Sequence, residues 1–227
     1  MSTYLTPLVS CMEAVRNAER AAQMSAYMRE QFPFLGVQAP RRRAVLRSFL
    51  ATYGPPPIAE LDDVIRVLWA TPEGEYQYVG ADLLNRMRRQ LTPAHVPLLE
   101  FTLTTRPWWD TVDTLAAHPV AALFKGYPQT RAETVAHWRA EPGIWLRRTV
   151  LLFQLLCKDK TDVDLLFSLI NDNLSDTEFF IQKAIGWGLR QYSKTDQTAV
   201  TAFVAATNLS PLAEREALKW LQNQGRI

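Results

Sequence analysis

Apolar residues recur at intervals of three and four through almost every segment of the chain, while stretches of alternating apolar and polar residues are scarce. Three-four spacing marks a helix with one buried face and alternation marks a half-buried strand, so the pattern predicts an all-α protein. Helices are expected over about 4–15, 18–31, 40–53, 59–70, 74–89, 93–104, 107–125, 128–139, 143–157, 162–172, 177–193, 196–206 and 211–224. Pro33, Pro40, Gly54-Pro55-Pro56-Pro57, Pro72, Pro93, Pro107, Pro128, Pro142-Gly143 and Pro211 punctuate them. Several of these prolines suit the first turn of a helix, where the missing N–H is no loss. Pro119 instead falls inside 107–125 and should kink or split that helix.

Helices of similar length on short links suggest an α-solenoid of antiparallel pairs, each pair with its loops spanning about forty residues, near the period of HEAT-like repeats. No strict repeated motif is visible, and a non-repeating bundle fits the patterning as well. A stacked array curves, and one helix of each pair would line a concave wall. The Gly54–Pro57 turn is too short for a domain linker, so a single domain over 1–227 is expected. With 227 residues, 48% of them hydrophobic, the chain can bury a sizeable core and shows no sign of disorder. Cys11 and Cys157 are far apart in apolar helical patterns, which implies neither a disulfide framework nor a zinc site and fits a reducing, cytoplasmic compartment. The start lacks the basic and apolar regions of a signal peptide, and no stretch is apolar long enough to span a bilayer, so no membrane partner is expected. A net charge of +2 is too mild to indicate nucleic-acid binding alone, so the placement of the charges matters.

The most informative string is Trp108-Trp109-Asp110-Thr111-Val112-Asp113. With Pro107 as first helical residue and Thr105 or Arg106 as cap, Trp108, Val112 and Leu115 share a packing stripe, whereas Trp109, Asp113 and Ala117 lie on a neighbouring face. Asp110 suits the helix start, where the dipole favours a negative charge. Asp113 lies deeper and lacks that explanation. Alone, Trp109 fits core packing and Asp113 a surface ion pair; beside a second aromatic and cationic stripe they read as a site.

That second stripe lies in 177–193. Ile181, Ala184, Ile185, Gly188, Leu189 and Tyr192 form its packing face, and Phe180, Lys183, Trp187, Arg190 and Lys194 the opposite one. Aromatics interleaved with cations suit a surface that follows a phosphate backbone while pressing flat rings on sugar or base. Gly186 and Gly188 each weaken the helix by about 1 kcal/mol relative to alanine, which suggests a close neighbouring backbone. Arg148 follows Arg147 at the edge of a stripe through Trp145, Leu152 and Leu156. Taken alone, this arginine pair reads as a solvated face, and the same caution applies to Arg41-Arg42-Arg43 with Arg47 and to Arg86, Arg88 and Arg89, which could be phosphate contacts or serve solubility. Tyr27 alone reads as structural. Nucleophile motifs, phosphate-binding loops and zinc spacings are absent, and His95, His118 and His137 are isolated. No metal or cofactor is implied.

Together these residues resemble the AlkD-type DNA alkylation repair family, alkylpurine DNA glycosylases of HEAT-like repeats. The resemblance runs from about Tyr4 to Gln224 and is most specific at Trp108–Asp113, at Trp145-Leu146-Arg147-Arg148 with Leu152–Leu155, and at Glu178–Trp187. Ala26-Tyr27-Met28 and Phe34-Leu35-Gly36-Val37 resemble it less specifically, and Gly188 stands where the family pattern suggests alanine. The resemblance implies that Asp113 is the catalytic carboxylate, that Trp109 and Trp187 flank the lesion's deoxyribose, that Arg148 contacts DNA nearby and that Tyr27 packs close to the site. It also implies that Lys183, Arg190 and Lys194 face DNA; Phe180 joins them through the aromatic and cationic stripe.

The implied activity is monofunctional hydrolysis of the N-glycosidic bond of N3- or N7-alkylated purines in double-stranded DNA by a monomer, leaving an abasic site. Such a purine is cationic and already a good leaving group, so the remaining difficulty is the oxocarbenium-like sugar. A carboxylate about 4 Å from that charge gains about 4 kcal/mol at an effective dielectric near 20, roughly a thousandfold in rate if realised only in the transition state. Asp113 can supply this or position water, and each tryptophan face can add about 0.5–2 kcal/mol. The principal alternative is a non-catalytic helical-repeat protein that binds damaged or bent DNA with the same surface.

Overall fold

Helices form where the apolar spacing places them. The computed structural model describes residues 3–226, and those residues form helices and connecting turns without strands. They gather into two compact units, one ending at Leu91 and one beginning at Thr92.

The first unit carries α1 (Thr6–Glu13), α2 (Ala18–Tyr27), α3 (Ala39–Tyr53), α4 (Leu61–Ala70) and α5 (Gly74–Met87). Asn17 caps α2, its side chain accepting from Arg20 N at 2.9 Å. The 18–31 expectation ends four residues early because Arg29 and Glu30 turn to φ +54° and +57°. The following loop is locked by Glu75, fully buried on α5, whose carboxylate accepts from the backbone N–H groups of Leu35, Gly36 and Val37, each at 2.9 Å. Gly36 sits at φ +83° with Asn17 O 2.0 Å from where a Cβ would stand, so a side chain is excluded there. This accounts physically for the Phe34–Val37 string.

The second unit opens with a 3₁₀ turn at Pro93–His95, where His95 Nδ1 accepts from Thr92 N at 3.1 Å. It continues through α6 (Val96–Thr104), α7 (Trp109–Leu115), α8 (Ala121–Gly126), α9 (Pro128–Arg139), α10 (Ile144–Leu152), α11 (Val163–Asn171), α12 (Phe179–Tyr192), α13 (Gln197–Ala206) and α14 (Pro211–Asn223). Between α7 and α8 a π-helical segment, Ala116–Val120, holds Pro119. Proline has no N–H to donate and its ring crowds the preceding turn, so the helix widens there and the expected interruption of 107–125 is realised. The 143–157 helix stops at Leu152, and Leu156 is exposed rather than part of the stripe assigned to it.

Two packings position the site. The central α10 lies against both α7 and α12, and α12 packs closely on α14. The apolar face predicted for α12 is realised: Ile181, Ala184, Ile185, Gly188 and Leu189 are buried, with Tyr192 half-buried. Buried Gln182 ties α12 to the Ser210 cap of α14, accepting from the Ser210 hydroxyl, which accepts in turn from Ala213 N at 3.1 Å. No described helix is long and apolar enough to cross a membrane.

Candidate active site

The start of α7 differs from its sequence reading by two residues. Arg106 takes φ +49° and Trp108 is extended at φ −147°, ψ 158°, so Pro107 precedes the helix and Trp108 is its cap residue. The Trp108 carbonyl accepts from Val112 N at 3.1 Å and from the Thr111 hydroxyl at 3.0 Å. Asp110 serves the first turn, accepting from Thr111 N at 2.9 Å. The spacing of Trp109 and Asp113 is untouched by this shift, and they remain one turn apart on α7.

Asp113 is buried in a forked ion pair, not a surface one. Arg148 Nε donates to Oδ1 and Nη2 to Oδ2, both at 2.8 Å, with the two side chains only 11% and 5% exposed. Nη1 of Arg148 donates to the Phe180 carbonyl, and its guanidinium carbon lies 5.9 Å from the Phe180 ring centroid. One arginine on α10 thus fixes the carboxylate of α7 to the first turn of α12. Burial pushes the Asp113 carboxyl above the ordinary aspartate value, with the Arg148 charge and hydrogen bonds pulling down against it and Asp110 pushing up. A carboxylate has about four lone-pair sites, and the fork uses one on each oxygen. The other two can receive a water or face a developing positive charge.

An aromatic cluster meets Arg148 at Phe180. Trp108 meets Phe180 edge-on at 5.1 Å between centroids and Trp145 at 5.9 Å, and Trp145 meets Phe180 at 5.2 Å. Phe180 therefore belongs to a cluster joining the starts of α7, α10 and α12. Trp109 and Trp187 are half-buried on α7 and α12.

The cations of α12 do not form a simple solvated row. Lys183 Nζ and Arg190 Nη1 both donate to Glu216 of α14, at 2.8 and 2.7 Å. The hydrogen bond from Lys183, with the charges of Lys183 and Arg190, holds the Glu216 carboxyl below the ordinary glutamate value. Lys194 is exposed and donates to Gln191 Oε1 at 2.8 Å. Gly188 lines a cleft of about 290 Å³ with Leu151, Tyr192 and Lys194, where a Cβ would meet Leu151 O at an ordinary 3.4 Å.

Asp113, Arg148 and Phe180 are therefore brought together directly, and Lys183 and Arg190 through Glu216. Tyr27 ends α2 in the first unit and is 71% exposed. Arg147 turns elsewhere, donating to Asn173 Oδ1 at 2.9 Å and to Asp176. Glu216 had no place in the sequence reading. Its one signal is a pair of small neighbours, Ala213 and Ala217, which suit a close helix contact, but nothing distinguishes it from Glu214 as the buried acid.

An all-helical protein with a buried arginine-held carboxylate, its arginine beside an aromatic cluster, and a cationic helix face is the class these features define. Comparison with known proteins narrows it. The family model described as DNA alkylation repair enzyme matches residues 8–221, and the chain belongs to that family. It is thereby an enzyme of DNA alkylation repair, with DNA as its partner. A solved structure from Enterococcus faecalis, described as a predicted DNA alkylation repair enzyme, is 37% identical with a TM-score of 0.84, covering 91% of this chain and 96% of its own. No curated protein matches.

Proposed function

We propose that the protein is a monofunctional DNA glycosylase that releases cationic N3- or N7-alkylated purines from duplex DNA and leaves an abasic site. It acts as a cytosolic monomer, the whole chain serving as one repair domain. The observation that carries this reading is Asp113, a carboxylate buried at 9% exposure and fixed through both oxygens by Arg148.

The lesion brings its own leaving group, so the protein's task is to stabilise the sugar as the bond lengthens. Asp113 does this through its remaining lone pairs and positions the attacking water, while Trp109 and Trp187 flank the deoxyribose. Arg148 tempers the effect. A cation about 4 Å from the carboxylate and about 8 Å from the guanidinium gains about 4 kcal/mol from one and loses about 2 to the other at an effective dielectric of 20. The net of about 2 kcal/mol corresponds to roughly thirtyfold in rate. Arg148 in return keeps a buried acid ionised and oriented, Lys183, Arg190, Lys194 and Phe180 serve DNA binding around the centre, and Tyr27 contributes a further DNA contact from the first unit.

No general acid is assigned, so lesions whose base is neutral should react poorly. The test is base release by purified protein from matched duplexes holding 7-methylguanine, uracil or hypoxanthine. Free 7-methylguanine with an intact abasic strand is expected, with the neutral bases released at least about a hundredfold more slowly, a difference of about 2.7 kcal/mol. Retardation of the methylated duplex without any base release would favour a non-catalytic damage-binding protein instead.

A further inference from the structure

Glu216 contacts α12 on both sides of Trp187 along the helix, at Lys183 and Gly186 before it and at Arg190 after it. Lys183 lies four residues before that indole and Arg190 three after, so the cations stand one turn to either side of it on one helix face. Both donate to the same carboxylate, whose residue is 6% exposed. The backbone contact is independent of this pairing. A Cβ on Gly186 would stand 2.4 Å from Glu216 Cβ and 2.8 Å from Ala213 O, so α14 touches α12 at the residue immediately before Trp187.

The ion pairing leaves work for both cations. Lys183 and Arg190 keep 36% and 25% side-chain exposure, and an ammonium with three donors or a guanidinium with five has N–H groups to spare after one bond to Glu216. Two cations on one carboxylate carry a net single positive charge. Charge attraction for a phosphate backbone is thereby reduced, while the positions of the donors are fixed before DNA arrives.

We propose that Glu216 is a positioning residue for base release: it holds Lys183 and Arg190 at set places on either side of Trp187, so that phosphate contact and placement of the indole are established together. This rests on the glycosylase reading above. Affinity for DNA is sacrificed for geometry at the lesion, and the acid on α14 acts through α12 without touching the substrate.

The test is Glu216→Gln in the full chain, which keeps the side-chain volume and removes the charge. Affinity for an undamaged duplex is followed by fluorescence anisotropy across a salt series, and base release by single-turnover kinetics on a saturating 7-methylguanine duplex. One more cation becomes available to phosphate, so affinity should rise about threefold to tenfold and the slope of log K against log salt steepen by about 0.9. The single-turnover rate should fall about tenfold, because the donors and the indole lose their common anchor. Lys183→Gln leaves Glu216 paired with Arg190 alone and takes the group from a net single positive charge to none, so the salt slope should become shallower by about 0.9. Salt slopes unaltered by Glu216→Gln, or affinity and rate falling in parallel in a folded variant, would overturn the proposal. So would a slope left unchanged in Lys183→Gln. Wild-type protein that releases no base would instead sink the glycosylase reading, while the salt slopes still decide whether Glu216 restrains the two cations.

Discussion

Arg148 grips Asp113 through two parallel hydrogen bonds of 2.8 Å while donating a third to the Phe180 carbonyl, so the acid proposed for catalysis cannot move without its partner. This has a kinetic consequence that an isolated carboxylate would not. In Asp113→Asn the arginine charge remains and opposes the sugar cation, so the loss is the full carboxylate attraction of about 4 kcal/mol, roughly a thousandfold. Asp113→Asn with Arg148→Gln removes the opposing charge as well. Single-turnover rates should place the double variant about thirtyfold above Asp113→Asn, and a double variant slower than the single would show that Arg148 assists the transition state directly.

The same pair sets the pH dependence. In the proposed mechanism Asp113 acts ionised, and burial raises its carboxyl above the ordinary value of 3.8. Base release should therefore fall on acidification along a one-proton limb whose midpoint lies above 3.8, after subtracting spontaneous depurination. Glu216 behaves oppositely. Its carboxyl is held below 4.5, so the stability it contributes is fully present above that value and lost as pH falls through its folded value. The difference in urea midpoint between wild type and Glu216→Gln should narrow from pH about 6 to about 3.

Two glycines in one helix should respond in opposite directions. Gly186→Ala places a methyl 2.4 Å from Glu216 Cβ and against the Ala213 carbonyl, an overlap that should cost about 1–3 kcal/mol. Gly188→Ala meets its nearest neighbour at 3.4 Å and gains helix propensity, for up to about 1 kcal/mol of added stability. Chemical unfolding of the two variants checks this, and equal effects would contradict the close approach of α12 and α14.

Helix positions were readable because apolar spacing and proline placement are local properties of the chain. The Trp109–Asp113 register survived an error in the helix start, since a four-residue offset does not depend on where the helix begins. Arg148, Lys183 and Arg190 were harder. Each is decided by an acid 26 to 35 residues away, and one sequence gives no sign of which distant charge folds onto it. The loop after α2 was missed for a similar reason: Arg29 and Glu30 adopt left-handed backbone without the glycine that usually announces it. Leu156 misled because apolar residues in compact turns can mimic helical spacing.

In the first unit, Glu75→Ala should be among the most damaging single changes. It leaves the N–H groups of Leu35, Gly36 and Val37 without their acceptor, at about 1–3 kcal/mol for each that stays buried. Hydrogen exchange should show loss of protection at these three amides and through α5, and undiminished protection there would contradict the locking role.

The most direct measurement is single-turnover release of 7-methylguanine from a defined duplex by wild type and by Asp113→Asn, with DNA affinity determined in parallel. Wild type should release the base and leave the strand intact, and Asp113→Asn should lose about a thousandfold in rate while its affinity changes by less than about threefold. A wild type that releases no base, or a variant whose rate and affinity fall by the same factor, would contradict Asp113 as the group that stabilises the transition state.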